Sequence, residues 1–168
     1  MDRLALARAS GALGLLLAAC TSTQVANGTF HSPKGYRVGI PGDGWRVEPA
    51  GKADLELARQ TPPGGMLANA TCEGASLGRS LPVLARQLTF GLTDRQTVES
   101  DAWTVGGRPA AHRVIQGRRD GVEVAVEAVV VRGQRCIHDF LYVAPLADFE
   151  RGRGDFKVFV ESFAGDSP

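Results

Sequence analysis

Cysteine and histidine carry most of the reactive chemistry in this chain of 168 residues. Cys136 and His138 stand two positions apart, a spacing that puts both side chains on one face of a strand. Cys72 ends another extended segment, so Cys72, Cys136 and His138 together form a possible set of soft metal ligands. The same two sulfurs can instead close a disulfide, or remain two separate thiols, and no C-x-x-C or H-x-x-x-H spacing decides among these readings. His138 and Asp139 are neighbours on a strand and point to opposite faces, so they cannot form the His–Asp pair of a hydrolase. No G-x-S-x-G elbow occurs. The glycines of Pro41-Gly42-Asp43-Gly44 and Gly106-Gly107 fit no phosphate-binding fingerprint and read as turns. His31 and His112 read as surface or edge residues. Trp45, beside a glycine-rich turn, could anchor a partner, but a core position explains it more economically. The sequence therefore assigns no catalytic residue, no cofactor site and no established metal site.

Cys20 has a chemistry of its own. Arg3 and Arg8 precede a short apolar run from Ala9 to Leu17, too short for a membrane span of roughly 20 residues. Leu17-Ala18-Ala19-Cys20 closes the run and resembles a bacterial lipobox. The resemblance implies cleavage before Cys20 and acylation of that cysteine, so residues 1–19 are expected to be a lipoprotein signal peptide and residues 20–28 a flexible tether. Thr21, where Asp would favour inner-membrane retention, points to the outer membrane. In that periplasm-facing, oxidising setting Cys72 and Cys136 remain as an even pair, and a structural disulfide is the first reading. Loss of residues 1–19 removes two Arg and one Asp from 19 cationic and 18 acidic residues, leaving a neutral chain. Neutrality argues against nucleic acid as a partner.

The elements that position these residues follow from periodicity. Tyr36, Val38 and Ile40 alternate with Arg37 and Gly39 as in a strand, and Trp45–Val47, Leu55–Arg59 and Met66–Cys72 read likewise. Pro62-Pro63-Gly64-Gly65 reads as a turn. Leu81, Leu84, Leu88 and Leu92 share one face of a helix spanning Ser80–Leu92, with Ser80 as its cap. Thr97–Val105, Ala110–Gln116, Val122–Val131 and Cys136–Val143 form a four-strand antiparallel meander, with an Asp120-Gly121 hairpin turn. Leu146, Phe149, Phe156, Val160 and Phe163 keep helical spacing, and Gly152-Arg153-Gly154 predicts a break between residues 151 and 155, recapped by Asp155.

This order, with Gly35-Tyr36-Arg37-Val38, Pro41 and Trp45 near its start and the Gly106-Gly107-Arg108-Pro109-Ala110 turn, resembles the PsbP-like fold over residues 29–164. That group includes DcrB-like bacterial lipoproteins. The resemblance implies an α+β domain: an antiparallel sheet with helices packed on both faces, an α/β/α sandwich. It brings no catalytic motif. The expected function is a non-enzymatic, membrane-anchored envelope lipoprotein that binds a protein or a ligand. The alternative is a periplasmic metal-handling or hydrolytic enzyme centred on Cys72, Cys136 and His138.

Overall fold

The computed structural model describes residues 24–42, 44–49 and 51–165. Seven strands make the main sheet: β4 (Arg46–Val47), β5 (Leu55–Gln60), β6 (Pro63–Thr71), β7 (Thr93–Val105), β8 (Arg108–Arg119), β9 (Val122–Arg132) and β10 (Ile137–Pro145). Their order across the sheet is β4-β5-β6-β10-β9-β8-β7, antiparallel throughout. A smaller sheet joins β1 (Val25–Ala26), β2 (Thr29–His31), β3 (Tyr36–Gly39) and β11 (Ala164–Gly165). The expected tether thus overlaps β1 and its turn at Asn27-Gly28.

The long hairpins follow from their turns. Asp120 and Gly121 both have positive φ, 50° and 81°, the backbone a two-residue hairpin needs if its twist is to match the strands. Gly106 and Gly107, at 55° and 74°, do the same between β7 and β8. Pro63-Gly64-Gly65, expected as a turn, instead begins β6, and Gln60 pairs with Pro63 across the hairpin.

The expectation of an α/β/α sandwich is corrected. Strand makes up 53% and helix 16% of the described residues, with only two α-helices. The first, α1 (Leu81–Gln87), is two turns long and too small to form a layer. It stops well short of Leu92 because its last turn tightens: the Thr89 and Phe90 amides reach back three residues, to Arg86 and Gln87, and the Thr89 hydroxyl caps the Arg86 carbonyl at 2.9 Å. Ser80 sits at the helix start without a side-chain capping bond. Leu84 and Ala85 cover Ala111, Val130 and Ile137. Leu92 packs separately with Ile115, Val124 and Val126.

The second helix, α2 (Glu150–Glu161), lies against the other face with the small sheet. It runs unbroken through Gly152-Arg153-Gly154, against expectation. A Cβ on Gly152 would overlap the Tyr142 hydroxyl and lie 2.9 Å from Arg59 Nη2, so this glycine provides close approach to β10 rather than a break. The main core is on this side, built from Phe30, Tyr36, Val38, Trp45, Phe140, Tyr142, Phe156, Phe159 and Phe163 among others. T-shaped contacts of Phe140 with Phe159 and Phe163 tie the sheet to α2 and the segment after it.

Candidate functional site: an open sheet face and a buried polar cluster

Because α1 is short, it leaves hollows on both of its sides over the same sheet face. One, about 370 Å³, is lined by Leu67, Val126, Leu141 and Val143 of the strands and by Leu88 and Leu92. Glu48, Glu56 and Arg119 supply its polar lining. The other, about 520 Å³, lies between the start of α1 and β7–β8. A cavity of this size with apolar walls and a few charges suits a small ligand or an apolar partner segment. Strand alternation places Asp139 on this face, between Ile137 beneath α1 and Leu141 in the first hollow. Burial raises the Asp139 carboxyl to about 6.

The opposite face carries polar groups within the core. Trp45, nearly buried, donates from its indole nitrogen to Asp155 Oδ2 at 3.1 Å. Arg59 pairs with the same carboxylate and lays its guanidinium 4.4 Å from the Trp45 ring centroid. Trp45 is thus a core residue, and Asp155, expected to recap a helix, ties α2 to β5. Tyr36 donates to Asp54 at 3.0 Å, and Lys34 pairs with that carboxylate at 2.7 Å. Burial, followed by the Asp54 charge, raises the Tyr36 hydroxyl far above its ordinary range.

A second cluster spans β7, β8, β9 and α2. Arg153 donates from both terminal nitrogens to Glu99, at 3.0 and 2.9 Å, and from Nε to Glu127 at 3.1 Å. Glu127 also meets His112 Nε2 at 2.8 Å. Burial alone would raise the Glu127 carboxyl; the hydrogen bonds from His112 and Arg153 and their charges outweigh it and hold Glu127 below the usual carboxylate range. Trp103 stacks on the His112 ring at 3.9 Å. His112 is 2% exposed, so its reading as a surface or edge residue is corrected: β7 and Trp103 cover it.

Cys72 and Cys136 are joined as a disulfide, with 4.1 Å between Cα atoms. They flank the Thr71–Ile137 register pair of β6 and β10, so the bridge closes the end of that ladder. Both sulfurs are consumed, and Cys72, Cys136 and His138 do not form a metal centre. His138 is fully buried, in ring contact with Tyr36 and Phe163. His31 is exposed on β2. Cys20, the signal segment and Thr21 lie outside the described residues. Among the described residues no helix is long and apolar enough to cross a membrane.

A twisted antiparallel sheet with a small accessory sheet and a C-terminal helix against one face defines the class: the chain has a PsbP-like fold. Similar solved structures include the cyanobacterial PsbP (CyanoP) of Synechocystis sp. PCC 6803, at TM-score 0.61 and 13% identity over 89% of this chain and 99% of that one. LpqN of Mycobacterium tuberculosis, described as involved in cell envelope biogenesis, aligns at TM-score 0.59 and 18% identity over 79% of this chain and 85% of its own. A Bacteroides thetaiotaomicron protein aligns at TM-score 0.61 and 11% identity over 83% of this chain, which spans 48% of that protein's length. No protein-family model matches the sequence, and no curated protein does. At these identities the likeness concerns the fold alone.

Proposed function

We propose that this chain is a non-enzymatic accessory module of the cell envelope, held at a membrane through an acylated Cys20 and binding its partner in the apolar hollow beside α1. The observation that carries the reading is the sheet face left open by a seven-residue helix, with Leu67, Leu141, Val143 and Leu92 lining a cavity rather than lying under a full helical layer. The envelope assignment is supported by the lipobox-like Leu17-Ala18-Ala19-Cys20 and by the structural likeness to LpqN.

Capture from detergent-solubilised envelope, with the tethered chain as bait, tests it. Wild type recovers a reproducible partner or copurifying ligand, and Leu67→Arg, which puts a charge into the hollow, loses it while keeping the wild-type circular dichroism. Turnover on an activity panel combined with no captured partner sinks the reading.

A further inference from the structure

We propose that His112, Asp101 and Glu99 form a binding site for a single divalent transition cation of the zinc class, held from beneath by Glu127. The site lies where β7 and β8 meet Arg153 of α2, and the backbone of Asp101 and His112 also borders the second hollow.

The argument begins with the register. Asp101 on β7 stands directly opposite His112 on β8. Regular pairing would put Val98 opposite Val114, but a shift between Thr97 and Glu99 places Glu99 there instead. Beyond the bulge β7 alternates regularly, so Glu99, two residues before Asp101, lies on the same side as Asp101 and His112, while Thr97, before the bulge, lies on the other. One ligand atom from each of the three lies within 4.8 Å of the others.

The second observation is the histidine itself. Its side chain is 1% exposed, and its Nδ1 has no hydrogen-bond partner. That nitrogen points at Asp101 Oδ2 across 3.6 Å, too far for a hydrogen bond. Two ligand atoms on one tetrahedral zinc stand about 3.3 Å apart, given metal–ligand distances near 2 Å. The gap between Nδ1 and Asp101 is therefore close to what a shared cation needs. On the other side of the ring, Nε2 meets Glu127 at 2.8 Å. With the proton on Nε2, Nδ1 presents its lone pair toward the carboxylates. A carboxylate–histidine–metal relay has this form, in which the buried acid fixes the tautomer and ring orientation of the ligand.

Charge and access agree. Glu99, Asp101, Glu127 and Glu150 surround the site, and Arg153 is the cation that meets Glu99, Glu127 and Glu150. The cluster keeps an excess of negative charge. The Asp101 side chain is 60% exposed and that of Glu99 36%, so Asp101 reaches solvent and can close on an ion, while Arg153 holds the Glu99 carboxylate in place and His112 is fixed by burial. Imidazole with carboxylates suits zinc and its neighbours better than calcium or magnesium.

Zinc chloride titrated by calorimetry into the EDTA-treated full chain in detergent tests the site. A parallel cobalt(II) titration reads tryptophan fluorescence, because Trp103 stacks on the ligating ring. The expected result is one equivalent of zinc bound, weakened at least about tenfold in Asp101→Ala, an exposed change that leaves the core alone, and about 10- to 100-fold in Glu127→Gln. Cobalt quenches wild-type emission strongly and that of Trp103→Phe weakly. Absence of saturable binding at millimolar zinc overturns the proposal. So does one equivalent of zinc whose affinity is unchanged in Asp101→Ala.

Discussion

Arg153 reaches from α2 to Glu127 in the middle of the sheet, Nε to Oε2 3.1 Å, and the carboxylate it meets is 4% exposed. This pair is one of the polar ties between α2 and the sheet. A buried carboxylate stripped of its cation is costly, so Arg153→Met is expected to lower stability by about 3 kcal/mol at pH 7. The pH dependence has a definite sign. Glu127 is held below its ordinary range in the fold, so its contribution is present above the unfolded pKa of about 4.3 and is lost as pH falls below it. Urea titrations at pH 7 and pH 4 should therefore show the gap between wild type and Arg153→Met narrowing in acid.

The Cys72–Cys136 bridge spans a sequence separation of 64 residues. Restricting so long a loop in the unfolded chain is worth about 4 kcal/mol in the chain-entropy treatment. Replacing both cysteines by alanine should lower stability by that order, and reductant should destabilise wild type but not the double variant in the same urea titration.

Two glycines two residues apart on α2 are expected to respond in opposite directions. Gly154 is exposed, with open space where a Cβ would go, so Gly154→Ala should stabilise by about 0.5–1 kcal/mol. Gly152→Ala should destabilise by about 1–3 kcal/mol, because the methyl group meets Tyr142, whose hydroxyl donates to the Phe149 carbonyl at 3.1 Å. Thermal melts of the two variants check the contrast.

Asp139 provides a second pH signature, of the opposite sign to that of Glu127. Burial raises its carboxyl from 3.8 to about 6, so the folded state holds a proton that the unfolded state releases. Its penalty is absent below pH 4, grows between pH 4 and 6, and is complete above that. Asp139→Asn should gain about 3 kcal/mol at pH 7 and nothing at pH 3.5.

Cys20→Ser tests the anchor. Acyl transfer to this position needs a thiolate, and a hydroxyl is far less reactive, so the variant should lose palmitate-analogue labelling and accumulate as an uncleaved precursor. Wild-type protein that is unacylated and cut elsewhere than before Cys20 defeats the anchoring proposal.

The four-strand meander β7–β10 and its hairpins were legible because two-residue periodicity and Asp-Gly or Gly-Gly turns are local signals, whereas the pairing of β6 with β10 joins segments with no local link. Helix lengths were not legible either. The stripe from Leu81 to Leu92 keeps its period, yet α1 ends at Gln87 because Leu92 is claimed by Ile115 and Val126, residues distant in sequence. Gly152 misled for the same reason: its requirement comes from Tyr142, ten positions earlier and on another element. The His112–Glu127 cluster had one readable trace. Glu127 stands in register with Ala125, Val129 and Val131, an acid in an apolar stripe, and such a residue calls for a buried partner. Which cation would answer it, Arg153 on a helix 26 residues away, was not readable, since nothing in the sequence links the two. Glu99 shares a face with Asp101 and Trp103 by simple alternation; what alternation alone cannot reveal is the bulge that sends Thr97 to the other face.

The register shifts along β7 also bear on how the molecule meets its own copies. A seven-stranded sheet has two free margins, each a template on which another extended chain can build an aggregate. One margin, β4, is only two residues long. The other, β7, is thirteen residues long and largely exposed, yet it is interrupted between Thr93 and Gln96 and again between Thr97 and Glu99, and it is studded with Asp94, Arg95, Glu99 and Asp101. An incoming strand would find neither a continuous row of backbone groups nor a neutral surface. The irregularity that sends Thr97 and Glu99 to opposite faces thus also guards the longest margin of the sheet against runaway polymerisation.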